Sequence, residues 1–148
     1  MRNALIIVAV VAAFFASWYF SIMRRLTRDY ARTEPFDGTL VRSRVRFALA
    51  EYPADCALGA NREGLYISSS PEAVKKGRWW WGSRYQVKTP FLIPWDRLHF
   101  AESALPLRGY IRVDVSTVKT GFSSTCFFIP QEIARPLLTA AGRQISPR

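Results

Sequence analysis

Two kinds of hydrophobic pattern divide the chain. From Ala4 to Met23 the sequence ALIIVAVVAAFFASWYFSIM carries no charge, and about 20 residues at about 1.5 Å each make a helix of roughly 30 Å, the thickness of a bilayer's hydrocarbon core. Arg2 bounds the stretch on one side and Arg24, Arg25 and Arg28 on the other, with Trp18 and Tyr19 near its end, where aromatic rings favour the membrane interface. Residues 1–24 therefore read as one transmembrane helix with a short N-terminal flank. A cleaved secretory signal needs an apolar core of only about 7 to 15 residues followed by small residues. Val11-Ala12-Ala13 is a poor cleavage site, and the apolar run continues past it as FFASWYFSIM, so a retained helix is expected.

Residues 25–38 mix charges with Pro35 and Gly38 and sustain no apolar period, which predicts a polar juxtamembrane stalk. Period two then takes over. In LVRSRVRFAL, Val41, Val45, Phe47 and Leu49 alternate with Arg42, Arg44 and Arg46, the signature of a half-buried strand with a row of arginines on its outer face. DCALGA and GLYISS, separated by Asn61-Arg62-Glu63, predict a hairpin, because that turn chemistry lies between two short apolar runs. The stretch from Ser68 to Pro90, broken by Pro71, Gly77 and Gly82, predicts a loop or irregular excursion. Three further strand-like runs follow: PFLIPWDRLHF, RGYIRVDVSTV and STCFFI. Pro94 inside the first implies an edge strand or a bulge. In PQEIARPLLTAAG a helical stripe of Ile133, Leu137 and Ala141, with Ala134 and Leu138 beside it, predicts a short C-terminal helix, kinked by Pro136 and capped at Gly142.

The order, several antiparallel strands followed by one helix, predicts a mainly β, α+β domain in which the helix plugs a curved sheet or partly open barrel. LGANREGLYIS, then PFLIPWDRL, then FFIPQEIARPLLTAA at the end resembles the small bacterial pleckstrin-homology-like domains. In these a strand ending in an Ile-Pro-Trp or Ile-Pro-Tyr turn leads into the next strand, and a C-terminal helix packs over the barrel. The resemblance covers roughly residues 40 to 145 and gives residues 39–148 as the barrel domain. It implies no chemistry; the wider superfold is associated with lipid head groups, peptides and partner proteins. The sequence departs from the pattern by a basic, Trp-rich insertion between Ser70 and Thr89.

Charge narrows the choice of partner. With 21 basic and 11 acidic residues the chain carries a net charge of +10, which attracts anions: lipid head groups, nucleic acid or acidic proteins. Arg2 alone on one flank opposes Arg24, Arg25, Arg28 and Arg32 on the other, so the positive-inside rule predicts a cytoplasmic C-terminal domain on a single-pass inner-membrane protein. The strongest binding candidate is KKGRWWWGSR, in which Lys75, Lys76, Arg78 and Arg84 surround Trp79, Trp80 and Trp81. Indoles tolerate the head-group zone and basic side chains meet anionic lipid there. The competing reading folds the tryptophans onto the barrel as a lid. Arg42, Arg44 and Arg46 form the second candidate, against the favoured reading that such rows keep an edge strand soluble and pair across the sheet.

Trp95 belongs in the core, and Asp96 is expected to cap a turn. Cys56 and Cys126 read as free thiols. A single histidine, His99, and the absence of any Cys-x-x-Cys, Gly-x-Ser-x-Gly or phosphate-cradling loop give no support to a metal, a cofactor or a catalytic site. The sequence thus predicts a noncatalytic, membrane-tethered binding or scaffolding module for membrane lipids or a membrane protein partner, with no small-molecule substrate. The alternative is single-stranded nucleic-acid binding, with tryptophans stacking bases and arginines tracking phosphates; it makes no use of the anchor and is not favoured. A third class, a small hydrolase, would need Cys56 or a serine beside His99.

Overall fold

The computed structural model describes the backbone of residues 2–47, 53–76, 87–104, 107–116 and 125–146, and the side chains there apart from those of residues 2–4, 15–21 and 76. A long helix, α1 (Arg2–Tyr30), precedes a domain of two antiparallel sheets. The first sheet pairs β1 (Val41–Val45), β2 (Ala54–Ala60), β3 (Gly64–Ser69) and β4 (Phe91–Pro94) in chain order, and a short helix, α2 (Pro71–Lys76), lies between β3 and β4. The second pairs β5 (Leu98–Glu102), β6 (Tyr110–Val115) and β7 (Thr125–Pro130), and α3 (Gln131–Ala140) ends the fold.

The expected alternation sets the faces. Ser43, Val45 and Phe47 are buried while Arg42 and Arg44 are exposed, so the arginine row does face outwards; Val41, read as inward, is 37% exposed at the strand's start. In the β2–β3 hairpin the Asn61 carboxamide oxygen accepts from the amides of Glu63 and Gly64, an Asx turn that reverses the chain. Gly64 is required here, since a Cβ would overlap the backbone of Ile93 on β4. The run PFLIPWDRLHF is two strands rather than one. A 3-10 turn at Trp95–Arg97 carries the chain from the edge of one sheet to the edge of the other. Trp95 is buried and donates its indole N–H to the Asn61 carbonyl at 2.8 Å. Asp96 does not cap: it is exposed and sits 3.6 Å from Arg97.

The two sheets do not close into a barrel. At one seam the amide and carbonyl of Arg46 bond reciprocally to Phe128 at 2.9 and 2.7 Å; at the other, β4 and β5 share no ladder among the described residues. Exposed edges invite unwanted pairing, and here short segments cover two of them. Ala31 bridges Phe91 on β4, and Ser146 bridges Ala101 on β5.

The predicted stalk is corrected. Helix α1 continues to Tyr30, and Ile22, Leu26 and Tyr30, spaced one turn apart on one face, join the same hydrophobic core as Phe47, Phe91 and Phe127. The core outcompetes the charged residues between them because only that face is buried. The chain then crosses the outside of the first sheet, where Phe36 stacks on Tyr66 with ring centroids 4.7 Å apart and occupies the space a side chain at Gly59 would need. Residues 31–38 are thus a strap on the domain. Among the described residues no helix is long and apolar enough to cross a membrane. The described apolar part of α1 is Leu5–Phe14, every residue of it exposed.

At the other end of the chain, Ala134 and Leu138 are buried, with Ile133, Leu137 and Ala141 at the margins of the stripe. The helix runs through Pro136 and ends in a Schellman motif: Arg143 N–H bonds to Leu138 O and Gly142 N–H to Thr139 O, with Gly142 at φ +68°.

Candidate functional site

The outward row on β1 is the only predicted cationic group whose side chains are all described, and its members have different fates. Arg42 forks onto the Asp55 carboxylate, Nε to Oδ1 at 2.9 Å and Nη2 to Oδ2 at 2.6 Å, with Glu72 at 3.7 Å. Such bidentate geometry neutralises the guanidinium locally. Asp55 is positioned from two sides. Its carbonyl accepts the Ser70 amide, and the buried Ser70 hydroxyl caps α2 by accepting the Ala73 amide at 3.1 Å. The Arg42 hydrogen bond, then those of Ser70 and the positive charge of Arg42 and Arg44, hold the Asp55 carboxyl below the ordinary carboxylate range against the opposing effect of burial. Arg46, half-buried, lies 5.4 Å from the Tyr110 ring centroid with Nε 3.4 Å from the phenol oxygen. Arg44 is exposed and makes no ion pair within 4 Å among the described residues.

Lys75 is exposed near the end of α2, three residues after Glu72. Lys76 ends that helix, and its side chain lies outside the described residues, as do Arg78, Trp79, Trp80, Trp81 and Arg84. The excursion predicted from Ser68 therefore opens with a helix, whose signal was Ser70-Pro71-Glu72: an N-cap hydroxyl, a first-turn proline and an early acid.

Elsewhere the basic surplus is also partly spent. Arg32 pairs with Glu63 at 2.5 Å and Glu34 at 3.3 Å, Arg112 with Asp114 at 2.8 Å, and Arg135 with Glu102 at 2.5 Å. His99 stands exposed on β5, directly across from Asp114 on β6. Cys56 is buried in the other sheet, and β6 separates Cys126 from β5. Burial pushes both thiols up, away from the thiolate form that a nucleophile needs. Among the described residues no thiol or hydroxyl hydrogen-bonds His99, and no cluster of three His, Cys, Asp or Glu could hold a metal ion.

Sequence reasoning missed a cleft beside the β2–β3 turn. It encloses about 630 Å³ between the start of β1, the β2–β3 turn and α3. Arg143 lies over the Trp95 ring at 5.0 Å on its rim. No pattern marks these residues, because they come from four separate stretches of the chain.

No family matches this chain, and neither does any curated protein or solved structure.

Proposed function

We propose that this chain is a noncatalytic, membrane-tethered binding or scaffolding module, single-pass in the inner membrane, with a pleckstrin-homology-like cytoplasmic domain that engages anionic lipid head groups or a membrane protein partner. The observation that carries the reading is the exposed apolar length of α1. Leu5, Ile6, Ile7, Val8, Val10, Val11 and Phe14 are between 47% and 71% exposed and are not among the residues of the buried core. A contiguous apolar surface of that kind needs a cover, and hydrocarbon supplies one along the uncharged stretch Ala4–Met23. Arg24 and Arg28 follow on the exposed side of the helix, where anionic head groups begin.

The domain adds positive potential unevenly. Arg44 and Lys75 contribute most among the described candidates, Arg42 little because Asp55 holds it, and Arg46 is drawn onto Tyr110. Lys76, Arg78 and Arg84 with Trp79, Trp80 and Trp81 complete the proposed contact as residues suited to an interface.

The test uses the full chain, since removing α1 would strip Ile22 and Leu26 from the core. In nanodiscs of neutral lipid and of neutral lipid mixed with phosphatidylglycerol, hydrogen exchange at residues 41–46 and 71–76 is compared. Slower exchange in the anionic discs that reverses at high salt is expected. Equal exchange in both, or recovery of the intact chain in the soluble fraction after alkaline extraction of membranes, rejects the reading.

A further inference from the structure

We propose that the corner of the domain where α1 enters lies within the head-group layer of the bilayer, and that Arg24, Lys75 and Lys88 there bind the phosphates of anionic phospholipids. This placement rests on the membrane reading of α1 and fixes which surface of the domain faces the lipid, and at what depth. Two segments overlap in α1. Ile22 belongs to the uncharged stretch Ala4–Met23 and is also buried in the domain core, with Leu26 and Tyr30 following one and two turns later. The helix is unbroken across the overlap, so no stalk separates the domain from the hydrocarbon. At about 1.5 Å per residue, Leu26 stands about 5 Å and Tyr30 about 10 Å beyond Met23 along the helix. The head-group layer on one side of a bilayer is roughly 5 to 8 Å deep. What packs around Ile22 and Leu26 is therefore inside it.

The packing of the two long helices identifies the corner. Helix α1 packs on β4 and β7, whereas α3 packs on β2, β6 and β7. The fastenings of α1 lie where β4 begins and β6 ends: Ala31 bridges Phe91, the Arg32 amide donates to Pro90 O at 2.9 Å, and the Tyr30 phenol donates to Ser116 O. Helix α3 instead follows β7, and the Gln131 amide donates to Gly109 O just before β6. The two helices thus stand at opposite ends of β6. Two exposed lysines belong to the α1 end. Lys88 lies two residues before Pro90, and the Ser69 hydroxyl donates to Val87 O at 3.0 Å, which ties the end of β3, and with it the helix α2 that carries Lys75, to the same place. Arg24, Lys75 and Lys88 are exposed and meet no carboxylate within 4 Å among the described residues, whereas Arg28 is held by Asp29. Unpaired cations at the level of the head groups are placed to meet lipid phosphate, Lys as a point charge and Arg as a fork.

The test uses the full chain with Cys126→Ser, which leaves the buried Cys56 as the remaining native thiol. Nitroxide labels are placed one at a time through Val8→Cys, Lys88→Cys and Arg62→Cys, in vesicles of neutral lipid mixed with phosphatidylglycerol, and collisions with oxygen and with a water-soluble nickel chelate report depth. The label at position 8 should lie in hydrocarbon, that at 88 at head-group level, and that at 62, beside α3, in water. Hydrocarbon at 8 with 88 as open to water as 62 overturns the head-group placement and leaves the membrane reading standing; water at 8 overturns both. In detergent, the affinity of the unlabelled chain for phosphatidylglycerol should fall about tenfold or more in the double variant Lys75→Glu, Lys88→Glu and change less than about twofold in Arg108→Glu, the same kind of reversal at an exposed site just before β6. Circular dichroism and thermal melting establish that each variant is folded, and Lys75→Gln, Lys88→Gln replaces a double variant that is not. Equal affinity in the folded double variant and the wild type overturns the phosphate contact.

Discussion

The phenol of Tyr30 donates to the carbonyl of Ser116 over 2.5 Å, fastening the last turn of α1 to the end of β6. One and two turns earlier, Leu26 and Ile22 are buried in the domain core. Burial raises the Tyr30 phenol above its ordinary value, so the group stays protonated and keeps donating through the neutral range. What the sequence presents as the foot of an anchor is structurally a core helix of the domain.

Shortening Leu26 to alanine should therefore destabilise the domain itself, by about 2–5 kcal/mol as for other fully buried leucines. Tyr30→Phe, which removes one hydrogen bond, should cost about 1 kcal/mol. Chemical unfolding of the full chain in detergent, followed by the signal of the β domain, measures both. A Leu26→Ala variant that unfolds with the wild type would show that α1 does not share the core.

Two glycines should respond differently to alanine. At Gly64 the new methyl meets the Ile93 backbone, which cannot yield without breaking the β3–β4 ladder, so a loss above about 2 kcal/mol is expected. At Gly59 it meets side chains, chiefly the Phe36 ring and then a Leu40 methyl at 3.0 Å. The Phe36→Ala, Gly59→Ala double variant should then be more stable than the sum of the singles predicts, by about 0.5–3 kcal/mol, since the clash is removed together with the ring.

Acid should loosen the β1–β2–α2 corner. The Asp55 carboxyl titrates below the ordinary value because Arg42 holds its charged form, so the unfolded chain binds a proton at higher pH than the folded one. Its contribution is full above about pH 4 and drains away as pH falls through the depressed value. Asp55→Asn should flatten that part of the stability profile, below about pH 4, while leaving the slope above it unchanged. Melting temperature against pH for the two proteins is the measurement; parallel profiles would remove Asp55 from the account.

The thiols should also separate. Cys56 is fully buried and Cys126 half-buried, and burial raises both above the ordinary range. Iodoacetamide at mildly alkaline pH should label Cys126 slowly and Cys56 only in denaturant, as read by peptide mass spectrometry. Rapid labelling of Cys56 in the folded protein would contradict its placement.

Much of the domain was legible because local pattern and tertiary environment agree. The arginine alternation in β1, the Asx turn at Asn61, the edge position of Pro94 and the Gly142 stop each rest on a local rule that the packing respects. Where they failed, a tertiary partner decided. Residues 25–30 look polar because Arg25, Arg28 and Asp29 dominate the composition, while Leu26 and Tyr30, following Ile22, supply the narrow stripe that the core selects. PFLIPWDRLHF looks like one strand because the turn at Trp95 is set by an indole reaching Asn61, 34 residues away. The outward direction of Arg42 was readable, but its capture by Asp55 depended on cross-strand register. The cleft was invisible since its walls meet only after α3 folds back over the β2–β3 turn.

The backbone of α1 is helical from Arg2 to Tyr30 without interruption, and its final turns are inseparable from the sheets. Such a joint has no swivel. Any tilt or rotation of the helix is handed to the whole fold as a lever hands on torque, and anything that grips the sheets pushes back along the same rod.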